Sequence, residues 1–270
     1  MRRWKLPTLL VLATAASHAH PEIEAGLTRL NAALAADPRN ADLLLERGEL
    51  YARHEEWIQA EANYLAAAEI ALRHAGIARA RGSLAVAQNR PADALKLFNE
   101  AKALDPADSS VRILRARALR KLGRNDEAGK EYDHVLSRLR SPSPDLILER
   151  AALLAPAEAL QVIDGAVDRL GPVPALELRA LALEESLGRL DAALARLDRL
   201  TAAAERKETW LHRRGDVLRR AGRQPEARAA YAAALAALAA LPDWLRESPE
   251  SVKLATELAT LSHSTPSSPP

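Results

Sequence analysis

The sequence predicts an all-α fold, a solenoid of antiparallel helix pairs, on three observations. Tyr64, Phe98 and Tyr132 stand 34 residues apart in a chain with 4 Trp, 4 Tyr and 1 Phe. Ala60, Ala94 and Ala128 keep the same phase, as do the small residues Gly48, Gly82 and Ala116, so three columns share one period. That period is the length of a two-helix repeat unit. Composition agrees: 48% of residues are hydrophobic but only 3% aromatic, so the apolar surface comes from Ala and Leu, both strong helix formers.

In chain order, residues 1–19 read as a secretory signal. Arg2, Arg3 and Lys5 give a positive start, Leu6 to Leu12 a short apolar stretch, and Ser17-His18-Ala19 a small-x-small cleavage site, with Ala13-Thr14-Ala15 as a second candidate. The apolar stretch is too short for a span of ~20 residues, and nothing downstream is long and uninterrupted enough to cross a membrane. Removing residues 1–19 takes away three positive charges and no negative one, which moves the formal charge from +2 to −1. Such a chain has no global electrostatic pull toward nucleic acid or anionic lipid. The absence of Cys excludes disulfides, Cys-ligated metals, thiol catalysis and a Cys-linked lipid anchor.

Residues 20–40 form a capping segment, with a helix from Glu22 to Ala36 that carries Leu27, Leu30 and Leu34 on one face. The array then spans 41–241 in six units: 41–74, 75–108, 109–142, 144–172, 173–207 and 208–241. The last restores the frame with Gly215, Ala227 and Tyr231. Within units the turns lead with Asn89, Gly123, Gly188 or Gly222, residues that accept the left-handed conformation closing a helix, and Pro or an acidic residue follows to start the next. Asp37-Pro38 and Asp105-Pro106, twice the period apart, stop helices between units. The fourth unit departs: it is about four residues short around Ala155-Pro156-Ala157 and has Ile163 where a ring is expected. Residues 242–261 read as a C-terminal capping helix and 262–270, rich in Ser and Pro, as a disordered tail.

The runs Gly48-x2-Tyr51…Ala60-x3-Tyr64, Gly82…Ala94-x3-Phe98…Pro106 and Gly215…Ala227-x3-Tyr231 resemble the tetratricopeptide-repeat pattern over residues 22 to 241. The resemblance, to an exported bacterial type given the leader, implies a right-handed α-solenoid. It assigns Tyr51, Trp57, Tyr64, Phe98, Tyr132 and Tyr231 to packing. It also implies a protein or peptide partner held in a concave groove lined by the first helix of each unit. Projected onto this chain, the groove takes Leu45, Glu49 and Arg53 from unit one and Arg79, Ser83 and Val86 from unit two. Units three and six add the basic sets Arg117, Arg120 and Lys121, and Arg213, Arg219 and Arg220 with Asp216, with Glu177, Glu184 and Glu185 of unit five between them. A groove of alternating sign would select a charged peptide. Each of these charges is equally what a solvated helix surface carries. The paired Asn and Lys that clamp a chaperone's C-terminal carboxylate in some cytosolic relatives are missing.

The seven histidines, His18, His20, His54, His74, His134, His212 and His263, show no HExxH and no close helical pair, so neither a metal nor a cofactor is expected. The one metal option is copper at His20, were cleavage to make it the N-terminus. Glu55-Glu56 and Glu184-Glu185 are adjacent on helices and point in different directions, which disfavours paired-carboxylate catalysis. No Ser/His/Asp set or Gly-rich phosphate loop is present. The expectation is a non-catalytic, periplasmic or secreted scaffold; the alternatives are an enzyme or small-molecule binder with an unrecognised site, and a structural subunit that self-associates.

Overall fold

A computed structural model describes residues 21–263, all of whose regular elements are α-helices. The stretch 1–19 read as a leader, His20 with its copper option, and residues 264–270 of the expected tail lie outside these residues. The chain divides between Glu131 and Tyr132 into two compact units. The first contains α1 (Pro21–Ala36), α2 (Ala41–Arg53), α3 (Trp57–Ile70), α4 (Ala75–Ala87), α5 (Pro91–Leu104), α6 (Ser109–Lys121) and the start of α7 (Asn125–Leu136). The second holds the rest of α7, then α8 (Pro144–Ala151), α9 (Pro156–Leu170), α10 (Pro174–Ser186), α11 (Leu190–Ala203), α12 (Glu208–Arg220), α13 (Gln224–Ala239), α14 (Asp243–Arg246) and α15 (Pro249–His263).

Local chemistry sets both ends of the first helices. Asn40, His74 and Asp108, again 34 residues apart, accept backbone N–H bonds at the starts of α2, α4 and α6, and Ser143 does the same for α8. At the other end Asn89, Gly123, Gly188 and Gly222 have positive φ, as expected. Each donates its N–H three residues back, while the next residue donates five back, as in Arg124 to Leu119 and Arg223 to Leu218. These are the two bonds of a Schellman motif. In the first pair the left-handed residue is Glu55, φ 60, a type that carries no glycine-like signal. The fourth pair lacks this turn: α8 has 8 residues against 13 for the other first helices, and Pro156 opens α9 five positions after α8 closes at Ala151.

The ring and small-residue columns form one device. A Cβ on Gly48 would sit 2.5 Å from Tyr64 Cε1, and one on Gly82 2.5 Å from Phe98 Cε1; at Gly215 it would collide with Tyr231 in the same way. The ring occupies the volume that a side chain on the first helix would take. Tyr64 also packs with Ala80 and Leu84 of the next pair, so the ring joins units as well as helices. Where the ring is lost, the glycine is lost too. Ile147 and Ile163 share the core of the fourth pair, and Leu181 and Leu197 that of the fifth, all fully buried. Two mid-sized aliphatics replace a glycine and a ring at comparable volume.

A polar ladder follows the same period. Arg47, Arg81 and Arg115 immediately precede the small column, and each reaches back to the second helix of the preceding unit: Arg47 to Asn31 at 2.9 Å, Arg81 to Glu61 at 3.6 Å, Arg115 to Asn99 at 2.6 Å. In the second compact unit Arg214 to Asp198 repeats the pattern, whereas Arg150 reaches Asp133 from a position three residues after the small column. At the C-terminal end α15 closes the stack, burying Leu258 against α13 with Leu254 and Leu261 beside it. It runs to His263, two residues beyond the expected end. Trp244, in the short α14 that precedes it, stays exposed.

Candidate functional site

A concavity lies in the first compact unit, lined by α2, α3, α4 and α6. Its side chains recur at fixed offsets from the small column. One position after that column stand Glu49, Ser83 and Arg117; three before it stand Arg79 and Ile113. Arg53 and Ala52 come from the last turn of α2, Ala87 from that of α4 and Ser110 from the first turn of α6. Trp57 and Tyr64, projecting from α3, make the floor together with Ala80, Leu84 and Leu114. The cavity encloses about 640 Å³, within the range of ligand sites.

Its wall is apolar and its rim charged. Four ionised residues line it, the cations Arg53, Arg79 and Arg117 against the single anion Glu49. Among the described residues neither Arg53 nor Arg79 has a carboxylate within ion-pairing distance. The nearby Asp108 carboxylate, whose charge is felt by Arg79, is committed to the backbone N–H groups of Ser110 and Val111. Burial, reinforced by Glu49 and Glu61, keeps the Tyr64 hydroxyl protonated well above its usual range. The floor thus offers a neutral phenol.

Of the projected groove residues, the structure brings Glu49, Arg53, Arg79, Ser83 and Arg117 into this one cavity. Arg120 and Lys121 do not line it: they stand exposed on the last turn of α6, one turn further along the helix than Arg117. Leu45 packs into the core around Ala67 and Tyr64, and Val86 is absent from the lining. Trp57, assigned to packing by its position, serves both purposes. It is half-buried in the Tyr64 cluster and faces the cavity.

In the second compact unit the projected charges neutralise one another. Glu185 accepts Arg213 at 3.3 Å and Arg220 at 2.5 Å. Asp216 accepts from the Tyr231 hydroxyl, to which Arg219 donates. A smaller hollow of about 390 Å³ beside Trp210 and His212 includes Arg213 and Asp216. Glu177 and Glu184 are not groove residues. Both are buried on Arg196, whose guanidinium bonds Glu177 at 2.6 Å, Glu184 at 2.8 and 3.0 Å, and Asp164 at 2.6 Å. Burial opposes that charge, but the bonds to Glu184, Glu177 and Asp164 outweigh it and hold Arg196 more firmly protonated than usual. Column arithmetic carried the signal: Glu184 occupies the position of Tyr51, Ala85, Leu119 and Leu218, three residues after the small column, which faces inward. Glu131 is a second buried charge, accepting from Lys102, Arg112 and Arg115. Glu131, Arg196 and the buried Asn63 all sit one residue before the ring column.

No group of three His, Asp or Glu positioned to hold a metal occurs among the described residues, and no described helix is long and apolar enough to cross a membrane.

The chain matches a family model described as tetratricopeptide repeat over residues 85–145 and one described as tetratricopeptide repeat-like domain over residues 149–246. No curated protein matches it. Among solved structures it is similar to a tetratricopeptide repeat protein from Parabacteroides merdae at 18% identity and a TM-score of 0.54, covering 90% of this chain and 93% of that one. It is similar to PilF of Pseudomonas aeruginosa at 22% identity and 0.55, covering 70% and 89%. PilW, described as a widely conserved type IV pilus biogenesis factor, aligns at 21% identity and 0.56, covering 70% and 90%. At these identities the likeness concerns the fold.

Proposed function

The chain is a tetratricopeptide-repeat protein, and from that premise we propose that it is an exported, non-catalytic scaffold that holds a protein or peptide partner in the groove of α2, α4 and α6. The observation that carries this is the cavity itself: about 640 Å³, apolar within and charged at the rim, built from the first helices of three consecutive pairs. An extended segment laid across such helices buries apolar side chains on the floor and pairs charges at the edge. The leader at residues 1–19 motivates export, and the likeness to PilF and PilW suits a protein working at the cell envelope.

Two measurements test the reading. Cell fractionation with mass spectrometry should find the protein outside the cytoplasm and beginning at His20. A cytoplasmic protein that retains Met1 removes the export half. Ser83 is exposed inside the groove, so Ser83→Trp fills it without touching the core. The partner retained by the wild-type protein in crosslinking should be lost from this variant; equal retention by both excludes the groove. Mass that rises with concentration in light scattering would instead favour self-association, for which Ile58 and Leu65 on α3 and Leu72 just beyond its end are exposed apolar side chains.

A further inference from the structure

We propose that the occupant of this groove is an acidic peptide segment presenting at least one large apolar side chain, a specificity that rests on the peptide-binding reading above. Charge and shape each limit the choice. Arg53 and Arg79 stand at the edge of an apolar cavity with no carboxylate partner among the described residues, in a protein that pairs Arg47, Arg112, Arg115, Arg150 and Arg196 with acceptors on neighbouring helices. A guanidinium beside apolar surface is weakly hydrated and presents a planar fork matched to a carboxylate. At this edge a ligand meets the two uncommitted cations Arg53 and Arg79 and one anion, Glu49. A basic segment would find one partner and two repulsions, so the rim discriminates by sign as well as attracting.

The floor sets the second requirement. Trp57, Tyr64, Leu84, Ile113 and Leu114 offer chiefly apolar atoms, with one indole N–H and one neutral hydroxyl as the polar groups, which reward a Leu, Met or aromatic side chain over a small polar one. The carboxylates recognised are those of Asp or Glu side chains flanking the anchor, since the two unpaired guanidiniums come from different helices, Arg53 from α2 and Arg79 from α4.

Three fluorescein-labelled synthetic peptides test this by anisotropy with the mature chain: an Asp/Glu-rich peptide with a central Leu-Phe, the same peptide with Ser-Ser at the centre, and a Lys-rich peptide with Leu-Phe. The acidic Leu-Phe peptide should bind at least about tenfold more tightly than either of the others. Its affinity should fall as salt rises from about 0.05 to about 0.3 M. Arg79→Glu, which alters a half-buried surface residue, should weaken it at least about tenfold while leaving thermal melting unchanged. If the Lys-rich peptide binds as well and Ser83→Trp abolishes both, the groove binds peptides but the acidic preference is wrong. If no peptide binds, or binding survives Ser83→Trp, the proposal fails together with the groove.

Discussion

Gly82→Ala isolates the contact on which the stack depends. The new methyl would lie 2.5, 2.7 and 3.1 Å from Phe98 Cε1, Cδ1 and Cζ, and Phe98 is fully buried, so the ring cannot swing into solvent. Overpacking of this kind costs ~1–3 kcal/mol. Against it, replacing glycine by alanine inside a helix contributes ~0.5–1 kcal/mol of stability. The net is a loss of about 0–2.5 kcal/mol, or up to about 10 °C in melting temperature for a chain of this size. Gly165→Ala is the control. Gly165 is helical, has an ordinary φ and would find nothing within 4 Å of its methyl, so the same substitution should raise the melting temperature by about 1–4 °C. Adding Phe98→Leu removes the clashing atoms, and in that background Gly82→Ala should turn neutral or stabilising. Thermal melts followed by far-UV circular dichroism read all four proteins. If Gly82→Ala melts as high as Gly165→Ala, the ring is not seated on Gly82 and the account of the repeat core is wrong.

Other predictions follow from the buried charges and the turns. Arg196→Met should destabilise by about 3–5 kcal/mol in denaturant unfolding, because it strands Glu177 and Glu184 without a counter-charge; an Arg196→Met protein as stable as wild type would show that those carboxylates reach water. For Glu131, burial alone would raise the pKa, but the Lys102 hydrogen bond and the charges of Arg115 and Lys102 outweigh it and hold the carboxyl below its usual range. A depressed folded-state pKa contributes stability above the unfolded value that is lost as pH falls through the folded one. The melting-temperature difference between wild type and Glu131→Gln should therefore be largest at neutral pH and shrink below pH ~4, and a difference that is flat with pH would contradict it. Glu55 holds a left-handed backbone at φ 60 without a side chain suited to it, so Glu55→Gly should stabilise by up to about 1 kcal/mol, whereas Gly123→Ala, at φ 74 in open space, should destabilise by about 1–2. Equal effects of opposite expectation, measured by urea midpoints, would remove backbone strain as the reason.

Legibility followed locality. The ring at Phe98, the missing side chain at Gly82 and the turn at Asn89 repeat within one helix pair, and the sequence displays them at a fixed interval. The arginine ladder at Arg47, Arg81 and Arg115 was equally periodic, but its acceptors vary between Asn and Glu, so it carries no motif that a column of rings would call attention to. Glu184 shows the opposite case. Its charge suggested a surface, while its column, shared with Tyr51, Ala85, Leu119 and Leu218 among others, faces largely inward; only the guanidinium arriving from α11 makes that burial tolerable.

By itself the sequence determined that the chain folds as stacked helix pairs, where most pairs turn, and which residues form the core columns, because each depends on contacts within about one period of chain. The tertiary structure decided which first-helix charges share a cavity and which are consumed by neighbours. Glu49, Arg53, Arg79, Ser83 and Arg117 meet over Trp57 and Tyr64, while Glu177 and Glu184 vanish into an ion cluster and Glu185 is taken by Arg213 and Arg220. Whether a helix face stays open or is filled depends on the side chain that an adjacent helix supplies, and that pairing is a property of the packed array.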